Sequence, residues 1–181
     1  MTGGGNYRFC PQCAGPLAWL VQDEDSGPKE RLRCAACAYT HWNNPTPVLA
    51  AVVECLDREG QVLLARNAAW PGRFFGLITG FMEAGETPEA GICRELLEET
   101  GLEAVSVPAL IGVYDFQRMN QVIIAYHVPA RGEIRLSPEL AEYKLLLPAE
   151  VRCWPAGTGQ AMAQWLRSRG IEPQWLELPK P

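Results

Sequence analysis

The sequence predicts an α+β protein on three observations. From residue 48 onward, short apolar and β-branched stretches separated by turn residues dominate. One capped helix interrupts them and one amphipathic helix closes the chain, a mixture expected to fold as a sandwich of strands and helices. A separate cysteine-bearing module precedes them all. The 181 residues suffice for one domain with a small satellite. With 48% hydrophobic and 20% charged residues, the composition excludes disordered, collagen-like and coiled-coil chains. The longest apolar runs, such as Val48 to Val53, are far too short to cross a bilayer as a helix. The stretch Met1 to Cys10 lacks the apolar centre of a secretory signal. A soluble cytoplasmic protein with no membrane partner is the expectation.

In chain order, the first 42 residues read as one module. They hold two Cys-x-x-Cys knuckles, a polar excursion from Gln22 to Lys29, and few apolar side chains. So short a piece needs a metal or a neighbour to fold. Residues 43–47, Asn-Asn-Pro-Thr-Pro, break regular structure and serve as a linker to a domain over residues 48–181. Val48 to Leu56 and Gln61 to Arg66 form a hairpin around the turn Asp57-Arg58-Glu59-Gly60, and Phe74 to Ile78 is a further short strand. A helix runs from Pro88 to Thr100: Thr87 caps it, Pro88 suits its first position, and Gly101 ends it in a left-handed conformation. Leu102 to Val107, Ala109 to Phe116, Gln121 to Val128 and Tyr143 to Leu147 alternate as strands, and Thr158 to Arg169 is the closing helix, stopped by Gly170.

The seven cysteines fall into two groups. Cys10, Cys13, Cys34 and Cys37 make the paired knuckles, while Cys55, Cys93 and Cys153 stand singly and read as core. An odd count argues against a disulfide framework. Two knuckles supply four sulfurs for a tetrahedral cation, and zinc matches their softness and geometry; with no open position it would be structural. Four buried cysteines without metal is the plainer alternative. His41, beside Trp42, could stand in for Cys37 but reads more simply as surface. The module carries few cations (Arg8, Lys29, Arg31 and Arg33), so a scaffold is expected rather than a nucleic-acid grip.

The formal net charge is −5, and its source is local. Between Gly80 and Glu103, Glu83, Glu86, Glu89, Glu95, Glu98, Glu99 and Glu103 face a single Arg94. On the Pro88–Thr100 helix, Glu95, Glu98 and Glu99 share one face near the carboxyl end. Mutual repulsion and the negative helix end each cost about 0.3–1 kcal/mol there. A purely structural helix would do better with lysine. A hard divalent cation resolves the conflict, because Mg²⁺ prefers oxygen ligands and keeps waters for bridging to phosphates.

Gly80, five residues, Glu86, seven residues, then Arg94-Glu95-Leu96-Leu97-Glu98-Glu99-Thr100-Gly101-Leu102 resembles the Nudix box at every defining position. The resemblance implies the family's α/β/α sandwich over residues 48 to about 155, preceded here by a zinc ribbon. It implies that Glu95, Glu98 and Glu99, with the Gly80 carbonyl, hold a catalytic Mg²⁺ or Mn²⁺, and that Arg94 and Glu86 pair to brace loop and helix. It also implies hydrolysis of a nucleoside diphosphate linked to another group X, by water attacking phosphorus. Many relatives have Pro-Gly-Gly before the box where this chain has Ile78-Thr79-Gly80. In the segment Pro138 to Tyr143, which resembles the stretch holding one more acidic residue, Glu142 is the choice and Glu139 the reserve.

A ribbon ahead of such a domain resembles the NADH pyrophosphatases and a related set acting on FAD and ADP-ribose. The former group's Ser-Gln-Pro-Trp-Pro-Phe-Pro segment is absent; Val107-Pro108-Ala109-Leu110 stands there. An ADP-containing dinucleotide or ADP-sugar, cleaved to AMP and X-phosphate, is therefore the expected substrate. Arg66 and Arg73 are candidates for phosphate or ribose. Phe81 and Tyr114 are candidates for the base, with Phe75, Phe116 and Tyr126 behind them. A triphosphate or RNA-cap hydrolase and a non-enzymatic nucleotide sensor are the alternatives. Small-molecule nucleotides rather than nucleic acid are the expected partners, and the resemblance implies a homodimer.

Overall fold

The computed structural model describes residues 7–70, 72 and 74–176. The chain divides into two units at Pro45 and Thr46. In the first, β1 (Leu17–Glu24) and β2 (Gly27–Cys34) pair antiparallel, and β3 (Thr40–His41) adds to β2. The polar excursion is the tip of this hairpin, with Gly27 in the positive-φ conformation that the turn demands. The two knuckles repeat one backbone motif. Ala14 N–H donates to the Cys10 carbonyl at 2.9 Å and Ala38 N–H to the Cys34 carbonyl at 3.1 Å. Both alanines are left-handed, at φ 58° and 59°. The turns thereby point their sulfurs to a common centre.

The second unit is built on β4 (Thr46–Cys55), an uninterrupted apolar run because both of its faces are covered. β5 (Gln61–Asn67) pairs with its last residues and β6 (Ile78–Phe81) with Val48 to Ala51. Along its other edge β9 (Gln121–Arg131) runs parallel for the full ten residues. The Pro88–Thr100 helix is α1; β7 (Glu103–Ala104) and β8 (Ala109–Phe116) pair with β9, and β10 (Leu140–Leu146) pairs with β5. These form a seven-stranded mixed sheet. β11 (Arg152–Cys153) and β12 (Gln174–Trp175) form a separate parallel pair, flanking α2 (Gly159–Ser168).

Alternation along β4 defines two cores. Leu49, Ala51 and Val53 pack under α1 with Ile92, Leu96 and Leu102. Ala50 and Val52 face α2 with Met162, Trp165 and Leu166. Helix, sheet and helix are thus stacked as a sandwich, with β4 at its centre. At the far end of β4, Glu54 accepts from His127 Nε2 at 2.7 Å and pairs with Arg169, whose guanidinium lies over Trp165. This anchors the end of α2 to the sheet. Among the described residues, no helix is long and apolar enough to cross a membrane.

Several boundaries differ from the sequence reading. β4 takes in Thr46 and Pro47, assigned above to the linker. The Pro47 carbonyl accepts from Met82 N–H, so its nitrogen faces the β6 side, where pairing only begins at Val48 and no bond is lost. Phe74 to Ile78 is not a strand: Gly76 makes one bridge to Ala65, and the strand proper starts at Ile78. Leu102 to Val107 pairs only at Glu103 and Ala104.

Candidate active site and cysteine cluster

Local chemistry fixes α1. Thr87 Oγ accepts from Ala90 N–H at 3.2 Å, and Gly101 closes the helix at φ 71° with its N–H on the Leu97 carbonyl. Gly91 lies where the helix crosses β4. A Cβ there would come within 2.5 Å of both Glu86 Oε1 and Leu49 Cδ1, so glycine lets the Glu86 carboxylate lie on the helix.

Arg94 is the hub of the site. Its Nε and one terminal nitrogen fork onto Glu86 at 3.1 and 3.0 Å. Its other terminal nitrogen donates to Glu95 Oε1 at 2.8 Å and Glu98 Oε2 at 3.1 Å, and the guanidinium also reaches the Phe81 carbonyl. This bidentate pairing holds the Glu86 carboxyl below its usual range, helped by the Glu83 N–H on Glu86 Oε1 at 2.7 Å. Gly80 in β6 abuts Glu95 so closely that a Cβ on Gly80 would sit 1.8 Å from Glu95 Cδ. Strand and helix therefore meet at the two positions expected to share a cation.

Glu99 is the outlier. It is only 7% exposed, and its Oε2 is buried with no hydrogen-bond partner. Burial pushes its carboxyl up to about 7, and the charges of Glu95, Glu139 and Glu98 add to the shift. One guanidinium serves Glu86, Glu95 and Glu98, and among the described residues no cation pairs with Glu99 or its neighbour Glu139. An orphaned carboxylate in an uncompensated acidic pocket fits a hard divalent cation bound by oxygen. Glu95, Glu98 and Glu99 could hold it.

The remaining candidates are distributed unevenly. Glu142 lies opposite Arg66 in the β5–β10 register and accepts from its Nε at 2.7 Å, so each occupies the other. Glu139 is the acid whose charge is felt at Glu99, a proximity set by the 135–140 segment folding back over the end of α1, where Ser137 N–H bonds the Glu99 carbonyl. Phe81 is exposed at the end of β6, beside Arg94. Tyr114 packs on the opposite, α2 face and donates to Gln164 Oε1 at 2.8 Å, so the structure does not bring it to the acidic helix. Phe75 and Phe116 belong to that same core, while Tyr126 is buried beneath α1 with its hydroxyl on Glu89. Arg73 lies outside the described residues.

In the first unit the sulfurs of Cys10, Cys13, Cys34 and Cys37 all lie within 4.8 Å of one another. Cys10 to Cys37 and Cys13 to Cys34 are both 3.5 Å. Tetrahedral zinc with bonds of about 2.3 Å needs sulfurs about 3.8 Å apart, so the set fits. Amide donation from Cys37 and Ala36 draws the Cys34 thiol down to about 7. Although the Tyr39 amide favours its thiolate, Cys37 is pushed up to about 12 by the Cys13 and Cys10 sulfurs. Four thiolates at such range require a cation. His41 meets the Tyr7 ring instead of joining them. Cys55 and Cys153 are buried in the two cores.

Known proteins share both halves. Residues 45–168 match the family described as NUDIX domain, and residues 8–43 match the one described as Nudix N-terminal, a zinc ribbon. A crystal structure of a NUDIX hydrolase from Nitrosomonas europaea is similar over 94% of this chain and 97% of its own, with a TM-score of 0.75 and 25% identity. The NAD-capped RNA hydrolase NudC of Mycobacterium tuberculosis (strain H37Rv) is 39% identical over 111 residues, 59% of this chain and 35% of that protein. The protein of the same name from Stutzerimonas stutzeri is 26% identical over 142 residues, 78% of this chain and 48% of its own length. The chain thus spans between about a third and a half of the length of these curated relatives.

Proposed function

From the premise that this chain belongs to the Nudix hydrolase family, we propose that it is a divalent-metal-dependent pyrophosphohydrolase whose substrate contains ADP joined to a second group. The products are AMP and the phosphate of that group. The observation that carries the reading is Glu99, a buried carboxylate without a partner, flanked by Glu95, Glu98 and Glu139. A bound Mg²⁺ would neutralise the diphosphate and polarise the bond to be broken.

The chain's own residues supply position and charge. Arg94 ties Glu95 and Glu98 to Glu86, so the carboxylates stay on one side of the helix as substrate charge approaches. Gly80 leaves room for Glu95 against β6. Glu99, half protonated near neutrality, gives up its proton when a cation binds. Glu139 is the favoured additional acid, since Glu142 is engaged with Arg66. In the first unit, zinc on the four cysteines is structural.

Similarity to proteins named NAD-capped RNA hydrolase supports nicotinamide riboside as X, in a free dinucleotide or at an RNA end. The missing aromatic-proline segment after the box leaves FAD and ADP-ribose beside it. A panel of NADH, FAD, ADP-ribose and nucleoside triphosphates with Mg²⁺, scored for AMP release, and of NAD-capped RNA, scored for release of nicotinamide mononucleotide and a 5′-monophosphate strand, tests the reading. Turnover of an ADP-linked compound, lost in Glu98→Gln, is the expected result. Full turnover in that variant would remove the carboxylates from the chemistry.

A further inference from the structure

The first unit contains a cavity of about 490 Å³ that the proposed hydrolysis leaves unused, lined by Gln12, Tyr39, Thr40, His41 and Trp42 among others. It adjoins the cysteine cluster through Cys37. Three features give it the chemistry of a site.

The first is Trp42, a large apolar side chain that stays 56% exposed. It is nevertheless held in place. The Arg31 guanidinium lies 5.4 Å from its ring centroid and is itself fixed by a fork onto Glu24 at 2.6 and 2.8 Å. An exposed indole clamped in this way is a pre-formed stacking platform.

The second is His41. Its ring meets that of Tyr7 at a tilt of 51° with centroids 4.7 Å apart, and its Nε2 is buried with no hydrogen-bond partner among the described residues. Such an atom normally finds one.

The third is the lining. Side chains of Gln12, Tyr39 and Thr40 give neutral donors and acceptors, and among the described residues no carboxylate, lysine or arginine lines the cavity. The cations beside the lining are engaged, Arg31 by Glu24 and Arg33 by the Ala38 carbonyl, so a phosphate or an acidic peptide finds no dedicated partner, and an aliphatic ligand would strand the polar edges. A planar ligand with π faces and hydrogen-bonding edges satisfies all three features.

We propose that this cavity binds a single unpaired nucleobase, stacked on Trp42 and read at its edge by the neutral polar groups around it. Affinity rests on stacking rather than phosphate charge, which reconciles the site with a module of few cations. The base belongs to a free nucleotide or to a single-stranded RNA.

Binding of fluorescein-labelled tetraadenylate to the full-length protein, without added divalent cation, tests this by anisotropy, with AMP and an abasic tetranucleotide as competitors. Trp42→Ala is expected to weaken binding at least fivefold and Trp42→Phe less than twofold, with a loss of less than threefold between 50 and 200 mM KCl. Gln12→Ala, should Trp42→Ala fail to fold, is expected to cost at least threefold. Competition by AMP assigns the site to free nucleotides, and competition by RNA alone assigns it to a strand; either supports the proposal. Equal competition by the abasic strand, or affinity unchanged in both alanine variants, would overturn it. Nucleotide hydrolysis is measured separately on the same variants, so loss of the proposed enzymatic activity leaves this result standing.

Discussion

Replacing Gly80 with alanine perturbs the site through a single methyl group. Its φ is not in the left-handed region, so the substitution costs no backbone strain, and the effect is purely one of space. The new Cβ would lie 1.8 Å from Glu95 Cδ and 2.1 and 2.3 Å from its two oxygens. To reach an ordinary contact of 3.4 Å, the carboxylate must retreat by about 1.6 Å. That breaks its 2.8 Å bond from Arg94. Because the displaced atoms are the far end of a flexible side chain, the stability cost is chiefly that of the lost charge-assisted hydrogen bond, about 1 kcal/mol or a fall in Tm of roughly 2–4 °C. A ligand misplaced by more than an ångström is expected to cost about 100-fold in turnover and to raise the Mg²⁺ concentration for half-maximal activity. AMP release across a Mg²⁺ titration, paired with thermal melts, reads both effects. In a Glu95→Ala background the obstructed carboxylate is gone, so adding Gly80→Ala should lower Tm no further. Turnover and Mg²⁺ dependence within twofold of wild type in the single variant would refute the placement of Glu95 against β6.

Three further outcomes are expected. Glu99 titrates at about 7 in the folded chain against 4.5 in the unfolded one, so the native state binds the extra proton between those values. Without added divalent cation, the stability that Glu99 contributes should therefore be full below about pH 4.5 and fall by up to about 3 kcal/mol as pH rises to 7; the difference between wild type and Glu99→Gln in urea melts should follow this slope. Gly91→Ala gains about 1 kcal/mol of helix propensity but drives a methyl to 2.5 Å from Leu49 and Glu86, so urea melts should show a net loss of about 1–2 kcal/mol. Elemental analysis should give one zinc per chain, and Cys37→Ser should lose it, with amide exchange rising across residues 7–45 and not across α1.

What the sequence disclosed is largely what is local. The α1 caps, the face shared by Glu95, Glu98 and Glu99, and the paired knuckles all lie within a few residues of one another, so spacing alone exposes them. Gly80 was legible as part of a motif, but not as a strand residue, because glycine carries little β preference and this one is held by pairing with Leu49. The choice between Glu142 and Glu139 depends on how β10 aligns with β5, some 75 residues distant, and no local pattern encodes that register. The place of Tyr114 on the α2 side was hidden for a related reason: alternation marks it as facing one side of a sheet without saying which helix covers that side. The hairpin tip in the first unit reads as a polar loop because the apolar run that opens β1, Leu17 to Val21, stops before Gln22 to Lys29, which hold the ends of both strands.

Strand β4 joins distant parts of the domain. Odd-numbered residues support the acidic helix, even-numbered ones support the closing helix, and its near end seats the segment ending at Phe81. Losing or gaining one amino acid between positions 48 and 55 would exchange those allegiances all at once and pull Gly80 from under its carboxylate. The turn from Asp57 to Gly60 could absorb the same change in length at the surface. Length variation in this fold should therefore collect at the ends of that strand and spare its middle.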